Sequence, residues 1–544
     1  MIVAPQPEAA DVGARILEQG GNAVDAAVAC ALVQGVVDPM MAGIGGFGSM
    51  QLYMPGAGVH TNVEFYARAP LSAQPGMWAD RLSGRTSDGF AYLLKDRANE
   101  IGYQAICTPA SLKGYATALE RFGTMDWRDI VEPARRYAAE GFIVRPHVHW
   151  FWTLDQSDSN QVNISDKIAF SNSGRQMYLT PDGAPKKPGD IVINTSLATT
   201  LEKIARGGAD VFYKGEVAEE ICADMKRNGG LITMEDLAQL EVTFSDPLIV
   251  PYRDYRVSTL SPPSSGMTML QILRILNHFN FSGIEHGSFE HLRLVSEATK
   301  YAVIDKDRFM GDPLYVDVPV EELLSDAYTK RLADRINNGE FARIDRAIDN
   351  SQRDTTHISV VDAQGNAVTL THTLGSPSGV ITESLGFMYN GTMSRFDPRP
   401  GRAASIAPGK RRASSAAPTI VFKDDAPYIV IGAPGGSYIA PAVAQGLMNV
   451  IDYNMPMLDA VSAPRFMAVS NKIDVSNRIR RHVTDELQAN GYVVKRSATS
   501  YPFAALHGIL IQDGRCSGGA DPQRDGMAVS VEAGRMSESR AAQI

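Results

Sequence analysis

Apolar residues recur every three to four positions over 7–17, which predicts an amphipathic helix stopped at Gly20-Gly21. Asn22 then reads as the N-cap of an alanine-rich helix over 23–37. The same helical spacing returns over 111–122, 127–140, 195–205, 216–227 and 289–309, so the first half of the chain is largely helical, with short strands such as 49–53. Near residue 355 the pattern changes. Residues 358–361 and 368–373 are β-branched and alternating, with Asp362-Ala363-Gln364-Gly365-Asn366 between them, a hairpin signal. A second strand pair is predicted at 419–422 and 428–431 around Lys423-Asp424-Asp425, and 397–412, rich in Pro, Gly, Arg and Lys, is predicted to be a loop. There is no tandem repeat.

Composition places these elements in an ordinary soluble protein. The chain has 544 residues, 44% hydrophobic and 21% charged. A net charge of −9 argues against a nucleic-acid or anionic-membrane partner, but says nothing of a local basic pocket. Cys30, Cys107, Cys222 and Cys516 are widely spaced and form no C-x-x-C, which argues against zinc or thioredoxin-like chemistry. Two disulfides or buried free thiols both fit them, and size favours the thiols. The N-terminal residues lack the basic and apolar regions of a signal peptide, and no apolar run approaches the roughly 18 residues of a membrane span. The expectation is a cytoplasmic protein, or a periplasmic one if a leader has been removed.

If Gln364 is the hairpin centre, Thr355 and Thr373 lie nine residues to either side and face each other on one side of the sheet. One hydroxyl can then hold the other, or a nearby amine, in a set orientation. The plainer alternative is an ordinary cross-strand threonine pair, since threonine is common in strands. The Gly43-x-Gly45-x-x-Gly48 run fits a dinucleotide-binding pattern, but a strand rather than a helix is predicted after it, which argues against that use.

Three runs carry a resemblance: Asp354-Thr355-Thr356-His357-Ile358-Ser359, Gly432-Ala433-Pro434-Gly435-Gly436-Ser437 and Arg412-Ala413-Ser414-Ser415-Ala416-Ala417-Pro418. With Gly20-Gly21-Asn22-Ala23, Pro262-Pro263-Ser264-Ser265-Gly266 and Gly311-Asp312-Pro313 they resemble, in order along most of the chain, the γ-glutamyltransferase family. The resemblance implies the α+β, four-layer αββα sandwich of N-terminal-nucleophile hydrolases. It implies self-cleavage between Asp354 and Thr355, giving a heterodimer of a large subunit (1–354) and a small one (355–544), with a dimer of these left open. Thr355 would be the nucleophile and its freed α-amine the general base. Thr373 would position that amine, the Gly435 and Gly436 N–H groups would hold the oxyanion, and Ser414 and Ser415 would bind a substrate carboxylate. Each run also has a plainer reading, an ordinary turn for the glycines and local backbone caps for the serines. No metal or organic cofactor is implied, and the partner is a small-molecule amide.

The chain also departs from that pattern. Where the family holds the glutamyl carboxylate with an arginine, this chain has Tyr66, with Arg68 two residues on and on the same face if the segment is extended. Where the family has two aspartates for the α-amino group, it has Ser394 and Arg395. Thr373 is followed by Leu374, not the family's asparagine, and the 397–412 loop is shorter than the lid of many relatives. The expectation is therefore an amidohydrolase acting on a small anionic acyl group without a free α-amine, resembling oxamate-amidohydrolase-like members. Arg395 also fits a surface residue or a partner of Asp397. The alternatives are a true γ-glutamyltransferase or glutathione hydrolase with rearranged clamps, and an unprocessed, inactive binding protein.

Overall fold

A computed structural model describes residues 1–86, 91–156, 160–345, 355–500 and 502–531. Two antiparallel sheets lie at its centre. The first runs, in spatial order, Met527–Val529, Ile2–Ala4, Thr356–Val361, Ala367–Thr373, Phe47–Met54, Val59–Phe65 and Thr243–Ser245. The second runs Arg515–Ala520, His507–Gln512, Ala426–Gly432, Thr419–Lys423, Tyr255–Thr259 and Leu248–Tyr252. Helices Pro7–Glu18, Ala23–Val37, Ser111–Phe122, Trp127–Glu140 and Thr195–Gly207 share a core with the outer face of the first sheet. Gly266–Leu276, Phe289–Phe309, Asp326–Asn337 and Ile439–Ile451 do the same on the second. The result is the four-layer αββα sandwich that the sequence resemblance implies.

Local signals explain several of these elements. Asn22 accepts hydrogen bonds from the Val24 and Asp25 N–H groups while Asp25 accepts from the Asn22 N–H, a capping box that starts the alanine-rich helix. Every residue of that helix except Gly35 is buried, because alanine's short side chain lets neighbouring backbone come close. Predicted bounds move by at most two residues, the helix at 195 running on to Gly207 and the strand at 49–53 filling Phe47–Met54. A strand does follow the Gly43 run, so the dinucleotide reading falls away. Helices Gly266–Leu276 and Ile439–Ile451 escape the periodicity reading because they are buried all round and present no polar outer face. All four cysteines are free thiols. No helix of the described residues is long and apolar enough to cross a membrane.

The hairpin sits inside this sandwich. Ile358, Val360, Val368 and Leu370 join the helical core on one face. Val361 and Ala367 pack on the other face with Ile420, Val430 and Ile509 of the second sheet. Toward the open end of the hairpin that inter-sheet face turns polar, through His357, Ser359, Thr369 and Thr371. Thr355 and Thr373 end this polar column.

Candidate active site

The hairpin register pairs Thr356 with His372 and Val361 with Ala367, which places Thr355 opposite Thr373 about the Gln364 centre. The Thr355 hydroxyl donates to the Thr373 hydroxyl at 3.1 Å. Thr373 Oγ1 also accepts the Gly375 N–H at 2.7 Å, and Arg524 Nη1 donates to the Thr355 carbonyl at 2.8 Å. Thr355 is thus held at side chain and carbonyl alike. Its φ is +136°, a region that a β-branched residue adopts only under constraint.

Neutral polar groups support the hairpin from both sides. On the helical side, Thr356 Oγ1 donates to Gln6, and Gln34 donates to both Gln6 and Thr356. His372 bridges Gln34 at 2.6 Å and the Tyr115 hydroxyl at 2.6 Å, and burial lowers its pKa to about 3, leaving it uncharged. On the inter-sheet side, His357 lies 2.9 Å from Thr371 Oγ1 and 3.1 Å from Ser359 Oγ. Burial, and then the neighbouring His507 and His372, hold its pKa far below the ordinary imidazole value. A side chain at Gly432 would put its Cβ 2.2 Å from that imidazole, so the glycine makes room for the ring.

A narrow pocket opens at Thr355. Thr373, Gly375, Phe47, Arg412, Ser414, Ser415 and Gly436 line it, and it encloses about 370 Å³ with its open side included. Gly435 (φ +146°) precedes, and Gly436 (φ +59°) begins, the short turn Gly436–Tyr438 that leads into Ile439–Ile451. Both conformations favour glycine, and a Cβ on Gly435 would lie 2.3 Å from that of Ala504. Ser414 Oγ accepts the Ala416 N–H at 3.2 Å, whereas the buried Ser415 Oγ has no hydrogen-bond partner among the described residues. Arg412, 3% exposed, lies over the Phe47 ring at 4.8 Å.

Several expected clamps lie elsewhere. Arg68 donates to the Glu241 carbonyl at 2.9 Å and Tyr66 is buried; neither lines the pocket. Arg411 instead engages Glu64 and Asp312, at 2.9 and 2.8 Å. Ser394 turns its hydroxyl to the Gly391 carbonyl at 3.4 Å. Arg395 donates to the Gly375 carbonyl at 3.0 Å and faces an outer hollow rather than the pocket itself. Asp354 lies outside the described residues. The cation that does line the pocket, Arg412, was missed as a clamp. Its signal was its place two residues before Ser414, on the same face of an extended segment.

Two facing threonines at the open end of a central hairpin, in a cleft between the sheets of an αββα sandwich, define the class: an N-terminal-nucleophile hydrolase fold. The chain belongs to the gamma-glutamyltranspeptidase family, whose pattern matches residues 9–531. It is 34% identical to the glutathione hydrolase proenzyme of Escherichia coli (strain K12), over 96% of this chain and 90% of that protein. It is 33% identical to the acylase ACY 1 proenzyme of Pseudomonas sp. (strain SE83), over 98% and 94%. Among solved structures, the cephalosporin acylase from Bacillus halodurans superposes with a TM-score of 0.86 at 25% identity, covering 98% of this chain and 96% of that one. The protein is accordingly an enzyme, of a family that includes hydrolases and acylases.

Proposed function

We propose that the protein is a self-processing amidohydrolase whose nucleophile is Thr355 and whose substrate has a small anionic acyl group. The observation that carries this reading is the hydrogen bond from Thr355 to Thr373 inside a pocket that also holds Arg412 and the serine pair. In the precursor, Thr355 Oγ1 attacks the carbonyl of residue 354 and the chain passes to an ester. Water then cleaves that ester, leaving subunits 1–354 and 355–544. The positive φ at Thr355 supports this step, since breaking the 354–355 link releases the constraint on that torsion.

The freed α-amine has an ordinary pKa of roughly 7.7–8.0, so a useful fraction is neutral near pH 7. It takes the Thr355 hydroxyl proton as the oxygen attacks the substrate amide, and passes a proton to the departing amine. The Gly436 N–H, with that of Gly435, faces the oxyanion, and an acyl ester forms on Thr355 Oγ1. Water, or a second amine, gives up a proton to the same base and releases the acyl group. Arg412 supplies the charge that an acyl carboxylate needs, with the Ser414 and Ser415 hydroxyls beside it.

A γ-glutamyl substrate is the second reading, favoured by the similarity to a glutathione hydrolase. Against it, Ser394 and Arg395 stand where that use calls for acidic residues, so no carboxylate is supplied there to pair with an ammonium. Two tests apply. Mass spectrometry of the purified protein should find fragments split at 354–355 rather than one 58.9 kDa chain. Half-amides of dicarboxylic acids and N-acyl amides, assayed beside γ-glutamyl-p-nitroanilide, should be turned over faster; robust turnover of the γ-glutamyl compound alone overturns the substrate reading.

A further inference from the structure

The Thr355 pocket ends inward at Phe47, Gly48 and Thr371, and on its other side Ser414 and Ser415 also line a wider hollow of about 1260 Å³, open side included. Six basic side chains line that hollow: Arg85, Lys306, Arg308, Arg395, Arg399 and Arg402. Asp307 and Asp397 are the carboxylates that line it among the described residues, so cations dominate this wall in a chain whose net charge is −9. Asp397 is already engaged by Arg399 at 2.8 Å and Arg402 at 3.6 Å. Arg85 packs over the Tyr92 ring at 4.7 Å. The buried Ser437 Oγ, also in the hollow, has no hydrogen-bond partner among the described residues.

A basic rim can simply be a solvated surface. Here, however, the cations come from three separate stretches of an acidic chain and meet on one concave wall beside the nucleophile. Like charges gathered in a concavity repel one another and raise the local concentration of anions. We propose that this hollow is the leaving-group site and that the amine released carries at least two carboxylates, as an acidic dipeptide does. The assignment rests on Thr355 being the nucleophile, because the acyl half then lies inward at Arg412 and the serine pair, and the amine half lies outward in the hollow. The processed enzyme would then take substrates anionic at both ends, with Arg412 reading one end and the Arg308–Arg402 wall the other.

The test is binding of the free leaving group, which needs no turnover. Calorimetry on the purified wild-type protein should show Glu-Glu dipeptide binding at least about tenfold more tightly than Gln-Gln in low salt. The gap should narrow at about 0.3 M salt. Arg308→Gln/Arg402→Gln, two exposed positions that fold should tolerate, should remove most of that preference. Equal affinity for the two dipeptides, or a double variant that weakens both alike, overturns the proposal. A Thr355→Ala protein that still hydrolyses amides would overturn the nucleophile reading instead, whatever the dipeptides do.

Discussion

The Thr355 and Thr373 side chains meet at 3.1 Å from opposite strands of one hairpin, with Thr373 Oγ1 also accepting the Gly375 N–H at 2.7 Å. Thr373 is thus fixed by the backbone and in turn fixes Thr355. Thr355→Ala should abolish both cleavage and turnover, giving one band at 58.9 kDa on a denaturing gel. Thr355→Ser keeps the hydroxyl and should still cleave. Thr373→Val keeps the shape but removes the oxygen, and should slow cleavage and kcat by roughly 10–100-fold, the cost of about 1.5–3 kcal/mol for a hydrogen bond in a site that develops charge. Normal kinetics in Thr373→Val would contradict its positioning role.

Arg412 gives a specificity prediction. Replacing it with Met keeps most of the contact with Phe47 while removing the charge. For an anionic acyl substrate kcat/KM should drop about 10–100-fold, whereas a neutral acyl analogue should lose much less. A uniform loss on both substrates would mean that Arg412 only supports the local structure.

Gly435 tests the oxyanion arrangement. Its φ of +146° disfavours an L side chain, and an added methyl would overlap the Cβ and Cα of Ala504, at 2.3 and 2.5 Å. Gly435→Ala must therefore shift the turn that presents the Gly436 N–H. The expected outcome is a kcat loss of about 10²–10³, the range for a missing oxyanion donor. Circular dichroism and thermal melting should show that the fold survives; a folded variant with unaltered kcat would rule out this turn as the oxyanion site.

The buried imidazoles predict how stability depends on pH. Burial lowers His372 from an ordinary 6.5 to about 3, and His507 likewise, so the unfolded chain binds protons that the folded chain refuses. Stability from these groups is fully present above about pH 6.5 and is lost as pH falls toward 3, by up to about 1.4 kcal/mol per pH unit for each group. Burial raises the carboxyls of Asp38 and Glu64, which act in the opposite direction. Urea midpoints should fall between pH 6.5 and 5. His372→Gln, which can still bridge Gln34 and Tyr115, should flatten that slope by up to one proton; an unchanged slope would show that His372 titrates normally.

Much of the site was legible because it is local. The Asp362–Asn366 turn between two alternating runs is enough to centre the hairpin on Gln364, and centring it places Thr355 against Thr373. The Asn22 cap and the Gly432–Ser437 turn are equally short-range. Arg412 and Arg68 show where this stops: both are basic residues close to runs compared with the family pattern, and in sequence either could be the clamp. Arg68 is drawn to the Glu241 carbonyl, and Arg411 to Glu64 and Asp312, which leaves Arg412 in the pocket. Those choices depend on partners about 100 to nearly 350 residues away in the chain.

The chain by itself determined the hairpin, its facing threonines, the glycine pair and the family, because each depends on residues a few positions apart or on order along the chain. Packing decided the rest. Stacking two sheets face to face made the inner side of the hairpin a polar column ending at Thr355, and brought residues 85, 306–308 and 395–402 around one opening. Alternation along a strand says which residues share a face, but what that face meets is set only when the second sheet closes over it.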